Sequence, residues 1–302
     1  MINGIMNIYK EKGFTSHDVV AKLRGIVKQK KIGHTGTLDP DAIGVLPVCF
    51  GNATKLCDML TDKSKEYEAC MQLGITTDTQ DISGKVLTET KVCVSNEEVE
   101  AAIMGFVGGY EQIPPMYSAL KVNGKKLYEL AREGKEVERQ PRHVDIPYIR
   151  IVCMELPKVR FVVGCSKGTY IRTLCADIGS RLGCGAVMTE LKRTRVGSFQ
   201  IEDSITLSQV KELMVSGNFE NYITAPDMIF KNCAGADVKP EFERILINGN
   251  KLYPSQLNFD RNISFKEQDM LRVYNSSHVF KALYIFAEKE KVFKPYKMFL
   301  AE

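Results

Sequence analysis

Gly33-His34-Thr35-Gly36-Thr37-Leu38-Asp39-Pro40 is the least ordinary string in this chain. It is not a phosphate loop, because the G-x-x-x-x-G-K-[ST] spacing and its lysine are absent. Its two glycines permit tight turns or close approach of the backbone to a ligand. Pro40 biases Asp39 toward extended backbone and away from helix. One carboxylate is therefore presented on a stiffened loop, and an ordinary aspartate is ionised at neutral pH. That suits a nucleophile or a general base. A structural aspartate turn would read the same way at this level.

On the N-terminal side, Gly4 to Tyr9 alternates like a strand, and Thr15-Ser16-His17-Asp18 has the form of a helix start. Val19, Val20, Leu23, Ile26 and Val27 follow at helical spacing, while Lys22, Arg24, Lys28, Lys30 and Lys31 make a basic face with no acid between Lys22 and His34. That face is either a nucleic-acid contact or simply solvated. On the C-terminal side, Gly33 to Asn52 reads as turn chemistry around a fixed point. Tyr67 to Leu73 predicts a strand. Ser95 and Glu98 form a capping box for a helix ending at Gly108-Gly109. Pro114-Pro115 breaks the chain before a short helix that stops at Gly134. Ile146–Met154 and Arg160–Cys165 predict strands. Ile171, Leu174, Cys175, Ile178 and Leu182 predict a helix closed by Gly183, and Thr206 with Gln209 caps another that ends near Gly217. After about Asn232, short runs at Ile245–Ile247, Met270–Tyr274 and Val279–Phe286 predict a small β domain.

Composition bounds the class. The chain has 302 residues, 44% hydrophobic and 26% charged, with a formal net charge of +4. These values describe a folded chain of one large or two ordinary domains. The basic excess is too small to prove a nucleic-acid partner. Nine cysteines include no C-x-x-C pair, which removes a zinc ribbon or a thioredoxin-like motif. They read as small buried hydrophobes in a reducing compartment. No signal peptide and no membrane-length apolar run is visible, so a cytoplasmic chain is expected.

Five motifs in order resemble the TruB family of tRNA pseudouridine synthases. They are Lys10-x-x-Gly13-x-Thr15-Ser16, the Gly33–Pro40 string, Lys65-x-Tyr67, Gln112-x-Pro114-Pro115-x-Tyr117-Ser118-Ala119-Leu120-Lys121, and Ser166-Lys167-Gly168-Thr169-Tyr170-Ile171-Arg172-Thr173. The resemblance runs strongly from Ile2 to Leu207 and more weakly beyond. It departs at Glu11, where the family usually has proline.

The resemblance implies an α+β pseudouridine synthase fold, a mixed and largely antiparallel sheet with flanking helices, plus a small C-terminal PUA-like β domain. The expected domains are residues 1–231, with an RNA-clamping insertion at about 110–145, and residues 232–302. It implies isomerisation of uridine-55 in the TΨC loop of tRNA, with no cofactor and no metal, no membrane and no obligatory protein partner. Asp39 resembles the nucleophile or base, Arg172 its ionic partner, and Tyr67 a ring that stacks on the flipped uracil and can take the C5 proton. His34, Tyr170 and Leu191 match positions that meet the target nucleotide. Lys10 would neutralise phosphate or shape the pocket floor. Two other classes fit parts of the pattern. A non-catalytic RNA-binding scaffold would not need Asp39, Tyr67 and Arg172 together. A hydrolase would need a second acid or a metal set near Asp39, for which Asp41 is the nearest acid in sequence.

Overall fold

The computed structural model describes residues 1–122, 124–259 and 263–300. Ala301 and Glu302, the end of the expected C-terminal domain, lie outside the described residues. The main sheet contains β1 (Gly4–Lys10), β2 (Ile32–His34), β3 (Ile43–Phe50), β4 (Lys65–Leu73), β5 (Tyr148–Glu155), β6 (Lys158–Cys165), β7 (Ala186–Val196) and β8 (Phe199–Gln200). Its order is β1-β3-β7-β4-β6-β5, with β2 on β3 and β8 on β7. Only the β3–β7 contact is parallel, through Ile43 with Lys192 and Gly44 with Arg193. The expected mixed, largely antiparallel sheet is therefore present.

Four of its strands were not anticipated: the short β2 and β8, and the long β3 and β7. β3 (IGVLPVCF) lies wholly inside the stretch read as turns, because Pro47 and two nearby glycines look like breakers. Pro47 falls between the β7 pairing at Ile43–Gly44 and the β2 pairing at Val48–Phe50, where its missing N–H breaks no ladder. β7 was hidden by its charges: Glu190 and Lys192 lie on the face opposite Leu191 and Arg193, and bulges interrupt its register with β4.

Apolar helix stripes cover one face of the sheet. α1 (Ser16–Val27) starts at Thr15, whose hydroxyl accepts from the Asp18 N–H while the Asp18 carboxylate accepts from the Thr15 N–H. With α5 (Leu207–Ser216) it covers β1 and β3 through Val19, Leu23 and Val210. α2 (Asn96–Met104) and α4 (Ile171–Arg181) cover β4, β6 and β7 through Val99, Ile103, Leu174 and Ile178. α2 ends at Gly105, short of Gly108-Gly109. The insertion leaves the body at Tyr110–Gln112 and returns at Arg142–Val144, which pair antiparallel, and it carries the short α3 (Leu127–Arg132).

The C-terminal part is a five-stranded sheet of β9 (Ala234–Val238), β10 (Leu257–Phe259), β11 (Met270–Tyr274), β12 (Phe280–Ala287) and β13 (Val292–Met298), in the order β10-β9-β11-β12-β13. Ile245–Ile247, expected as a strand, belongs to α6 (Glu243–Ile247). A short apolar run has no period long enough to separate helix from strand. This sheet is not a free appendage. Phe230, Leu283 and Phe299 share one apolar cluster with Ile5, Val45, Leu56 and Val196 of the main sheet and its connections. Lys297 also bonds the Asp58 carboxylate and the Lys55 carbonyl. Of the nine cysteines, all free, Cys93 and Cys153 are exposed, so the expectation of burial fails at those two.

Candidate active site

The loop between β2 and β3 is held from several sides. The Leu38 N–H donates to Ser16 Oγ (2.9 Å), and Leu38 itself is buried in the core shared by β4, β6 and α4. The Gly13 N–H and the Lys10 ammonium both reach the Pro40 carbonyl, at 2.9 and 3.1 Å. The Arg193 guanidinium donates to the Val45 carbonyl (2.7 Å) and approaches the carbonyls of Gly36 and Thr37. Gly44 must be glycine: its φ is +105°, and a Cβ there would lie 2.2 Å from the Arg193 carbonyl oxygen.

From this loop the Asp39 side chain, 46% exposed, points Oδ2 at Arg172 Nε, 3.2 Å away. Arg172 sits in the first turn of α4 with its side chain only 9% exposed, and every arm of its guanidinium is used. Nη1 donates to the Thr79 carbonyl (3.2 Å) and Asp81 Oδ2 (3.3 Å), and Nη2 donates to the Tyr117 carbonyl (3.0 Å). A planar fork locked at three corners can hold one carboxylate in a fixed direction, which a flexible ammonium cannot. The second acid at the site is thus Asp81 and not Asp41. Asp81 Oδ1 already accepts from Thr79, the Ser83 N–H and the Ser83 hydroxyl, so this carboxylate is tied into the wall. Among the described residues no cluster of three or more histidine, cysteine or acidic side chains is arranged for a metal.

Tyr67 stands on β4 opposite Arg193 of β7, nearly buried, with its phenol toward the Arg193 guanidinium. Burial pushes the phenol above its ordinary value, and Arg193 pulls against that rise. Tyr170 is the residue before α4, and its half-buried phenol is also pushed up by burial. Leu191, two residues before Arg193 on the same strand, packs half-buried against the cluster that contains Tyr67 and Leu38. The fold therefore brings Asp39, Arg172, Tyr67, Tyr170 and Leu191 into one neighbourhood. His34 stands at the head of the Asp39 loop, edge-on to His17 with ring centroids 5.1 Å apart. Burial, then His17, holds its imidazole below the usual value, so it is neutral at neutral pH.

Of the two roles expected for Lys10, neutralising phosphate does not fit its enclosure. Its side chain is fully buried and donates to the carbonyls of Glu11, Phe14 and Pro40, and its burial lowers the ammonium to about 8. A cation enclosed by three carbonyls has no face for phosphate. The departure at Glu11 leaves this intact, because β1 runs through Lys10, paired with Gly44.

Sequence reasoning missed two participants. Arg193 is 1% exposed and was masked by a Lys192-Arg193 pair that reads as surface charge. Gln112, 1% exposed, clamps both backbone groups of Tyr170, accepting from its N–H (2.8 Å) and donating to its carbonyl (3.0 Å). It also donates to the Tyr110 phenol (2.6 Å), which in turn donates to Asp177. The signal for Gln112 was its place in the Gln-x-Pro-Pro motif.

The chain is similar to known proteins over nearly its whole length. Residues 24–171 match the model described as TruB family pseudouridylate synthase, N-terminal domain. Residues 172–225 match the tRNA pseudouridylate synthase B C-terminal domain, whose span ends before the five-stranded sheet. The tRNA pseudouridine synthase B of Lachnoclostridium phytofermentans is 51% identical, with 99% of this chain and 100% of that protein covered. That of Bacillus pumilus is 42% identical over 99% of this chain and 98% of its own. Among solved structures, a chain of a Cbf5-Nop10-Gar1 complex superposes with a TM-score of 0.75 at 28% identity, covering 98% of this chain and 85% of that one. A chain of an H/ACA RNP bound to a substrate RNA containing 2'-deoxyuridine gives 0.74 at 26%, covering 99% and 85%. The two family models and the full-length relatives agree with one another, and the chain belongs to the TruB family of pseudouridylate synthases.

Proposed function

We propose that this site isomerises uridine-55 in the TΨC loop of tRNA to pseudouridine, with Asp39 as the group that acts on the ribose. The observation that carries the reading is a half-exposed carboxylate fixed by a buried, fully bonded guanidinium, in a chain of this family. A stacked uridine cannot reach such a carboxylate, so the nucleotide must be flipped out of the loop. Asp39 then either bonds the ribose or removes a ribose proton. Arg172 keeps that carboxylate ionised and aimed in both routes. The detached uracil turns between Tyr67, Tyr170 and Leu191 and rejoins through C5, and Tyr67 takes the C5 proton. Neither oxidation state nor water count changes, so the reaction calls for no cofactor and no metal.

RNA recognition is divided in the same reading. The catalytic unit spans residues 1–231 and the RNA-binding β unit 232–302. Lys22, Arg24, Lys28 and Lys30, all exposed, and the net-basic insertion at 110–145 contact phosphate. His34 supports the opened loop. The substrate is the TΨC arm, with no obligatory protein partner, and a tRNA substrate goes with a cytoplasmic site of action. No helix among the described residues is long and apolar enough to cross a membrane. The test is tritium release from a tRNA transcript carrying [5-³H]uridine. One tritium per transcript is expected, and none from a transcript with cytidine at position 55. Equal release from both would overturn the assignment to uridine-55.

A further inference from the structure

Arg193 is costly to bury for a structural role alone. It is among the largest fully buried side chains, and among the described residues no carboxylate lies within salt-bridge distance of it. Its Nε is anchored on the Val45 carbonyl at 2.7 Å, while its other nitrogens make only long contacts, 3.4 Å to the Gly36 carbonyl and 3.5 Å to that of Thr37. Burying a guanidinium without an anion is costly, and a methionine would fill similar space without that cost. The charge faces one titratable oxygen on the neighbouring strand, because Tyr67 is its cross-strand partner.

We infer that Arg193 is a positioning residue for proton transfer at C5: its buried, unpaired charge is the counter-ion for a Tyr67 phenolate formed during turnover. This rests on Tyr67 being the base proposed above. After uracil rejoins through C5, the C5–H bond breaks and its proton passes to the phenolate oxygen. The electron pair restores the C5–C6 double bond and leaves negative charge on N1, which takes a proton from solvent. The phenolate that accepts the C5 proton forms earlier in the same turnover, when the phenol gives its proton to solvent, so Tyr67 ends the cycle as a neutral phenol.

The groups around Tyr67 support the assignment. Burial holds the phenol neutral, Asp39 from the loop adds to that, and Arg193 acts in the opposite sense. Of these influences, Arg193 is the one that favours the phenolate. A cation anchored from behind by a backbone carbonyl also cannot swing out to pair with RNA phosphate.

The experiment is the pH dependence of single-turnover tritium release at saturating tRNA between pH 6 and 10, for wild type, Arg193→Gln, Arg193→Lys and Tyr67→Phe, each first checked by thermal melt. Wild type is expected to show a rate that rises with pH. Arg193→Gln should move that rise upward by about one pH unit or more, a rate about tenfold lower at fixed pH on the limb. Substituting 3-fluorotyrosine, a more acidic phenol, at position 67 should move it back. Arg193→Lys keeps the charge but cannot hold Val45 and face the phenol together, so it should shift the limb by a smaller amount. If Arg193→Gln fails to fold, Arg193→Met, which fills similar space without the charge, decides: a limb coincident with wild type overturns the inference. So does Arg193→Gln that lowers the rate equally at all pH values. If Tyr67→Phe releases tritium at the wild-type rate, Tyr67 is not the base, and that reading falls together with the inference drawn from it. If Tyr67→Phe stalls while the Arg193 variants keep the wild-type limb, only the role of Arg193 is lost.

Discussion

Asp39→Asn separates catalysis from architecture, because the structure assigns very different magnitudes to the two. The Asp39 side chain pairs with Arg172 at 3.2 Å, and that carboxylate is 46% exposed. A pair so open to solvent is worth about 0–1 kcal/mol after screening. Arg172 is not orphaned by the change, since Asp81 and the carbonyls of Thr79 and Tyr117 remain. Stability should fall by about 1 kcal/mol at most, and in domains of ~150–250 residues that moves Tm by about 2–4 °C. The amide keeps the shape of the side chain but is a far poorer nucleophile or base. Loss of a positioned acid–base group alone costs about 10²–10⁴ in rate, or about 3–5 kcal/mol of barrier. The assay pairs single-turnover tritium release at saturating tRNA with a denaturant melt and a filter-binding isotherm. Unchanged affinity, a nearly unchanged melt and a rate down at least a hundredfold are expected. A rate within tenfold of wild type, or a large loss of stability, would show that Asp39 is a loop-forming aspartate and that the chemistry lies elsewhere.

Gln112→Leu removes three short hydrogen bonds and leaves the Tyr170 N–H without its partner. It should cost about 2–4 kcal/mol in a urea melt and lower kcat more than it raises KM, because Tyr170 leads into the turn that carries Arg172. Deleting residues 232–300 uncovers the apolar cluster around Ile5, Val45 and Leu56. The truncated chain should therefore aggregate or melt early in scanning calorimetry, so the RNA role of this unit is better tested with Lys-to-Ala changes on its exposed face. Lys65 donates to the carbonyls of Thr61 and Lys63, and burial lowers its ammonium to about 8. Between pH 8 and its ordinary value near 10.5 the unfolded chain holds more protons than the folded one, so this group makes stability rise with pH across that window. Lys65→Met should show a shallower rise between pH 8 and 10 in urea melts than wild type does.

The chain by itself determined most of the local structure and the identity of the central carboxylate. Thr15 with Asp18, Ser95 with Glu98 and Thr206 with Gln209 fixed three helix starts, because a capping box is a contact between residues three apart. The Gly33–Pro40 string marked Asp39, since the two glycines and a following proline constrain backbone locally. Strands that alternate, such as β6, were legible for the same reason. What tertiary structure alone decided has a common cause, which is burial supplied by residues distant in sequence. β3 became a strand because β1 and β2 offer it partners, despite Pro47. β7 became central because its two faces meet different surroundings, a charged network with Glu68 and Arg160 on one side and the core on the other. Lys10, expected either to neutralise phosphate or to shape the pocket floor, is enclosed by three carbonyls that only the folded loop brings together. Arg193 looks like one more surface cation beside Lys192. Its meaning appeared only when the sheet set it against Tyr67, 126 positions earlier in the chain, and shut out water from both. Periodicity records which face a side chain prefers. The partner waiting on that face, and the dielectric around it, are set by contacts across the whole chain.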